Sequence, residues 1–294
     1  MDRFMAGGKK LFKYLIMLVL AGLTFAFKPF AKRKEGVRVL IFHGVEASEI
    51  GRFQFLINRL GKDWDFISPE DFFAFMAGEL EIKTPSLLVT FDDGFKSSAT
   101  AAREVLDKKG IKAIFFLISD FVGCGDETQI KKFALYNLLL TSEDIQTTDC
   151  TPMTSLEASD LLELGHNIAS HSMSHARMSS LESGDLEKEM RLSRDSLEKM
   201  LPSPSSGSSR VTEFAFPFGD IQSISSDSAD IGLRYYQRLY TGCRGPNRPG
   251  QSGLILRDAV NLKDPIFYTD VYLSGIFDQL YKNRFKQLLR MRGA

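Results

Sequence analysis

Cysteine is scarce in this sequence. Three of 294 residues are cysteine, Cys124, Cys150 and Cys243, widely spaced and odd in number. No CxxC pair occurs, which argues against a disulfide framework or a thiolate zinc knuckle. One pair could still form, so cysteine usage favours a reducing compartment only mildly. An excess of one charge is missing as well: 37 Lys and Arg face 37 Asp and Glu. No global positive field is present to recruit nucleic acid. No internal repeat is visible. Histidine is limited to four residues, His43, His166, His171 and His175.

What is present is enough apolar residue, 44%, for one large core or two small ones. Residues 1–36 stand apart from the remainder, 37–294. Tyr14 to Phe27 is an uncharged, mostly apolar run. Its length matches a signal-peptide core and is short for a bilayer span. Lysines and arginines lie on both sides of it, which blurs topology. The segment, with residues 11–27 at its centre, fits a retained membrane anchor, a cleaved signal or an in-plane helix. Membrane association is therefore the expected location, with secreted or cytoplasmic placement as the alternatives.

From Val37 onward, apolar β-branched runs alternate with helical patterns. Strands are expected at 37–42, 86–91, 113–117, 167–170, 213–216, 238–240 and 254–256. Ser68-Pro69-Glu70-Asp71 predicts a helix start with proline in the first turn. Further helices are expected over 53–60, 98–109, 131–140, 156–164 and 181–201, and in the basic tail 276–291. The serine- and proline-rich stretch 202–209 is expected to be a surface loop. This alternation predicts a parallel sheet covered by helices, with about seven strands, close to a closed barrel.

The strongest local signal is Thr90-Phe91-Asp92-Asp93-Gly94. Two carboxylates end a buried strand, where charge is rarely placed unless paired or bound to a metal. Neighbours on an extended chain point oppositely, so Asp92 and Asp93 are expected to do different jobs. Gly94 permits a sharp turn after them. His171 and His175 lie four apart, a spacing that lets both meet one cation. A carboxylate would complete a three-ligand site with room for water, and the second carboxylate would be free to accept a proton. The Pro217-Phe218-Gly219 turn offers the Phe218 backbone N–H to an oxyanion, since Pro217 has none to give. His43 ends the first strand, and such strand ends build the active sites of barrels.

The sequence resembles the polysaccharide deacetylase family, the NodB-homology domain of carbohydrate esterase family 4. Thr90 to Gly94, Gly165 to His175 and Phe214 to Gly219 carry the resemblance, in the family's order, over roughly residues 37 to 260. It implies an α/β fold, a distorted (β/α)7 TIM-like barrel preceded here by an N-terminal hydrophobic helix. It also implies metal-dependent removal of acetyl groups from an acetylated glycan. Carried over by position, Asp92 is the general base and Asp93, His171 and His175 hold the metal. Zinc is favoured, with cobalt or nickel also acceptable to such ligands.

Two positions depart from the family pattern. Ala215 stands where many members have an arginine that positions the base, so that support is missing or comes from elsewhere. No histidine follows His175, so the family's late leaving-group acid near Leu254-Ile255-Leu256-Arg257 is unfilled. His43 resembles a histidine of a family subset and is the alternative acid; a merely structural histidine is the competing reading. His166, which precedes its strand, is expected to be structural. Phe218 either lines a sugar subsite or belongs to the core. The basic tail is expected to be a solvated helix face, with an anionic membrane surface as the minority reading. The departures leave two other functions open: a non-catalytic carbohydrate-binding or assembly protein, and a hydrolase of another C–N amide bond.

Overall fold

A computed structural model describes residues 36–202, 211–251, 253–276 and 278, together with residues 15, 17–19 and 22. Most of the N-terminal segment, residues 203–209 of the expected surface loop and nearly all of the expected tail helix lie outside the described residues. No helix of the described residues is long and apolar enough to cross a membrane. Cys124, Cys150 and Cys243 form no disulfide with one another.

The strands are β1 (Val37–Phe42), β2 (Asp65–Phe66), β3 (Ser86–Phe91), β4 (Ala113–Leu117), β5 (Asn167–Ser170), β6 (Glu213–Ala215), β7 (Arg238–Tyr240), β8 (Leu254–Ile255) and β9 (Asp258–Ala259). They form one sheet in the order β8-β7-β6-β5-β4-β3-β1-β9, with β2 pairing onto β3. β8 pairs in parallel with β7, and β9 pairs in parallel with β1. Only Leu256 and Arg257 separate β8 from β9, so one bent segment joins the two ends of the sheet. The result is the distorted seven-stave barrel that the resemblance implied. Asn247 fills the bend: its Oδ1 accepts from the Leu256 N–H at 2.8 Å, and its Nδ2 donates to the Leu256 and Val37 carbonyls at 2.8 and 3.3 Å.

Strand alternation sorts the core into two layers. Val37, Val39, Leu88, Ile114, Phe116 and Tyr240 fill the barrel interior. Their neighbours Leu40, Phe42, Leu87, Val89, Phe91 and Phe115 face the helices. Each such side chain gains about 1.5–3 kcal/mol on burial, so a strand shifted by one residue would lose both layers. α1 (Ile50–Leu60) presents Phe53, Leu56, Ile57 and Leu60 at helical spacing to the outer layer. Phe53 meets Phe42 edge-on with ring centroids 5.1 Å apart.

α2 (Pro69–Ala77) begins as the sequence predicts. The Ser68 side chain accepts from the Asp71 N–H, and Pro69 opens the helix. Its Phe72 and Phe75 enter the interior layer and close the barrel at the end where the strands start. α3 (Lys96–Ala101) continues as a π turn over Ala102–Leu106 and a short 3-10 turn to Lys109. The remaining helices are α4 (Ser119–Val122), α5 (Glu127–Tyr136), α6 (Ser142–Thr147), α7 (Ser155–Glu163), α8 (Ser183–Met200), α9 (Ser226–Tyr235) and α10 (Ile266–Leu273). The helix expected over 131–140 is shifted: the Asp126 side chain caps it earlier, and the chain leaves the helix at Asn137. Leu138 and Leu140 then line a cleft at the other mouth of the barrel.

Candidate active site

Asp92 extends the phase of Leu88 and Thr90 and so points into the barrel mouth. Asp93 would face the opposite way on a straight strand. It adopts φ 72 and Gly94 follows at φ 84, so the chain turns and brings both carboxylates to one side. A Cβ on Gly94 would lie 3.0 Å from Leu117 Cδ2, in a backbone region that side chains avoid.

His171 and His175 follow β5 in a loop that also uses left-handed backbone, at Ser172 (φ 70) and His175 (φ 63). Such residues cost about 1–3 kcal/mol each and persist only where the surroundings fix them. Here the carboxylate of Glu189, on α8, accepts from the Met173 N–H at 2.9 Å, the Ser174 N–H at 3.0 Å and the Ser174 hydroxyl. The Ser172 hydroxyl accepts from the His175 N–H at 2.9 Å, and Asn137 Nδ2 donates to the Ser174 carbonyl at 2.8 Å. Each imidazole is also oriented. His171 Nδ1 donates to the Ala215 carbonyl at 2.8 Å and His175 Nδ1 to the Asn137 carbonyl at 2.9 Å. Both Nε2 atoms are thereby turned to Asp93 Oδ1, at 3.4 and 3.6 Å.

Asp93, His171 and His175 are all buried, and their potential ligand atoms lie within 4.8 Å of one another. Burial alone would raise the Asp93 carboxyl. The His171 hydrogen bond and the nearby histidine charges outweigh it and hold Asp93 well below the usual carboxylate range. Burial likewise pulls His171 down, but Asp92 and Asp93 together raise it above the ordinary imidazole value. At His175 burial prevails and the shift is downward. The donors fit a divalent cation: one carboxylate, two imidazoles whose Nδ1 atoms are already engaged, and Nε2 lone pairs left for the ion.

Beside this trio, Asp92 is gripped by Arg257. Nη1 donates to Oδ1 at 2.7 Å and Nη2 to Oδ2 at 2.9 Å. Nε is fixed in turn by the Thr241 carbonyl at 2.9 Å, and the guanidinium lies over the Phe116 ring, 5.1 Å from its centroid. Arg257 is 1% exposed. Burial would raise Asp92, and the Arg257 charge overrides it, holding the carboxyl ionised. The arginine missing at position 215 is therefore replaced from the bend between β8 and β9.

The sequence model of the polysaccharide deacetylase family matches residues 80–236, more than half of the chain. This chain belongs to the polysaccharide deacetylase family. It is thus a hydrolase of carbon–nitrogen bonds. Solved structures share the deacetylase fold. IcaB from Ammonifex degensii superposes with TM-score 0.64 at 17% identity, over 82% of this chain and 98% of that one. The Streptococcus pyogenes deacetylase PplD in complex with acetate gives 0.61 at 16%, over 81% and 98%. A de-N-acetylase from Aggregatibacter actinomycetemcomitans gives 0.60 at 13%, over 81% and 100%. Comparison with curated protein sequences gives no match.

The deacetylase cleft has a volume of about 760 Å³ and is lined by Asp92, Asp93, His171 and His175 together with His43, Phe218 and Gly219. His43 is exposed to it and has no hydrogen-bond or ion-pair partner among the described residues. Its charge contributes to keeping both aspartates ionised. Pro217 is buried and does not line the cleft. Phe218 stands at φ 63 with its ring exposed, 4.7 Å from the His175 ring and 4.5 Å from the Arg177 guanidinium. Gly219, also at φ 63, leaves no room for a side chain: a Cβ there would be 2.6 Å from the Gly242 nitrogen. His166 is structural. Its Nδ1 accepts from the Ala113 N–H at 3.0 Å, and its Nε2 donates to Asp107 at 3.1 Å.

Sequence reasoning missed Arg257, Glu189 and Asn137. Arg257 left a signal, a charged residue directly after an apolar strand. Glu189 left none, because on a charged amphipathic helix one acid looks like the next.

Proposed function

We propose that this enzyme is a metal-dependent deacetylase that removes acetyl groups from N-acetylated sugars of a polysaccharide or lipid-linked glycan. The observation that carries the reading is the meeting of Asp93, His171 and His175 with Asp92 beside them in one cleft. Asp93, His171 and His175 would hold the ion, for which zinc is the favoured candidate and cobalt or nickel acceptable substitutes. When bound, a divalent cation supplies Lewis acidity to the acetyl carbonyl.

The chain's own groups divide the remaining work. Asp92, ionised and aimed by Arg257, takes a proton from the attacking water. The Phe218 N–H, which has no acceptor among the described residues, donates to the oxygen that gains negative charge. His43 returns a proton to the leaving nitrogen. Its place in the cleft and its lack of a competing partner support that role. Acetate and a free amine are the products. Phe218 also offers an exposed ring against which a sugar could lie.

The test is acetate release by purified, zinc-supplemented protein across a panel of N-acetylated and O-acetylated glycans. Release from N-acetylated substrates is expected. Stoichiometric metal binding without acetate from any of them would defeat the reading.

A further inference from the structure

Phe218 carries the backbone N–H on which the deacetylase reading relies, and it stands at φ 63 without being glycine. Such a residue is strained and keeps its conformation only where the surroundings impose it. Neither its N–H nor its carbonyl has a hydrogen-bond partner among the described residues. Pro217 limits the chain before it, and after it the Gly219 carbonyl accepts from the Gly242 N–H at 2.7 Å. What remains to fix Phe218 is its ring.

That ring is held from the neighbouring loop. It meets the His175 imidazole with centroids 4.7 Å apart, and the Arg177 guanidinium lies over it, 4.5 Å from the centroid. Arg177 is anchored in turn: its Nη1 donates to both carboxylate oxygens of Asp220, at 3.4 and 3.3 Å. Asp220 is itself fixed, because its Oδ1 accepts from the Gln222 and Ser223 N–H groups at 2.8 and 3.0 Å. The Ser179 hydroxyl adds a bond to the Gln222 carbonyl. Arg177 lies two residues past His175, and Asp220 two past Phe218. The loop after β5 and the loop after β6 are thus closed on each other around one aromatic ring. Arg177 is not among the residues that line the cleft, so its effect on the chemistry there passes through Phe218.

We propose that Arg177, anchored by Asp220, is a positioning residue that keeps the Phe218 N–H aimed at the carbonyl oxygen of the acetyl group being removed. A guanidinium suits the task, since it is planar and always charged, stacks on a ring and pairs with a carboxylate at the same time. The clamp also ties the loop that carries His171 and His175 to the loop that carries the oxyanion donor. The proposal rests on the deacetylase reading and adds to it the group that holds the donor in place.

The test combines acetate release by the full-length, zinc-supplemented protein on an N-acetylated oligosaccharide with amide hydrogen exchange. Arg177→Ala should lower kcat about tenfold and leave KM within about twofold, since loosening an oxyanion donor costs less than the roughly 10²–10³ of deleting one. Zinc affinity and melting temperature should hold, because the Arg177 and Asp220 side chains are 39% and 49% exposed. Arg177→Lys keeps a cation over the ring and should stay within about threefold of wild type. Asp220→Asn keeps an acceptor for the Gln222 and Ser223 N–H groups and removes the charge; it should cost part of the same kcat, and the double variant no more than Arg177→Ala alone. Exchange of the Gly242 amide, whose acceptor is the Gly219 carbonyl, should quicken at least about threefold in Arg177→Ala. Wild-type kcat in Arg177→Ala, equal losses in the alanine and lysine variants, a loss carried by KM alone, or an unchanged Gly242 rate overturns the proposal. Exchange needs no substrate: wild-type protein that releases no acetate defeats the deacetylase reading, and with it the catalytic use of Arg177, while the Gly242 rate still decides the clamp.

Discussion

Arg257 and Asp92 meet through two hydrogen bonds of 2.7 and 2.9 Å, across 165 residues of sequence. Both partners are buried. The contact fixes the plane of the carboxylate as well as its charge, because a guanidinium fork matches both oxygens at once. A carboxylate so held stays ionised but cannot rotate, and it presents its remaining lone pairs in one direction.

Arg257→Lys should therefore lower kcat by about a hundredfold or more, since an ammonium cannot reproduce the fork. Arg257→Ala should do the same and also destabilise the fold by about 3–5 kcal/mol, by leaving a buried charge unpaired. Kinetics combined with denaturant melts check both. A lysine variant with wild-type kcat would show that the fork is not required.

His43→Ala should reduce kcat by about 10²–10⁴, the usual range for a lost general acid, while zinc affinity and melting temperature stay put. His43 is exposed and makes no hydrogen bond or ion pair among the described residues, so its removal breaks no such contact of the fold. Undiminished turnover on an amide substrate would remove it from the mechanism.

Glu189→Ala should weaken zinc binding by about 10–100-fold, because the loop between His171 and His175 loses three hydrogen bonds at once. Glu189→Gln should fall in between, since an amide oxygen still accepts from the Met173 and Ser174 N–H groups. Titration against a chelating indicator measures this without reference to catalysis. Equal affinities for all three proteins would reduce Glu189 to ordinary packing.

His166 makes stability depend on pH in a known sense. Burial lowers its folded pKa, although Asp107 acts in the opposite direction. The unfolded chain then binds the proton more readily. Its contribution is fully present above the ordinary imidazole value of about 6.5 and is lost as pH falls through the depressed folded value. Stability of wild type relative to His166→Gln should shrink steadily between about pH 7.5 and pH 5. Melting curves at a few pH values suffice, and a constant difference would contradict the assignment.

The barrel strands were legible because they are short, mostly apolar runs, and those that carry the site lead directly into polar residues, His43, Asp92 and His171. The trio Asp93, His171 and His175 was legible because its members sit at strand ends within short recognisable motifs. The start of α2 was legible to the residue, since Ser68 and Pro69 are local signals that owe nothing to the rest of the chain. α5 was misplaced by four residues because its cap, Asp126, lies in an irregular stretch, and the leucines after Asn137 imitate helical periodicity while lining the cleft. Arg257 and Glu189 act over long sequence separations. Nothing near Asp92 says that an arginine beyond Leu256 will reach it, and only the closing of the ring supplies that fact.

The bend between β8 and β9 makes architecture and chemistry inseparable. A joint two residues long both sews the ring shut and aims a guanidinium at a carboxylate. Side chains alternate along a strand, so inserting a single residue there would send Arg257 to the opposite face. The barrel could re-form around such an insertion and the enzyme would still be disarmed. This joint is tied to its present length.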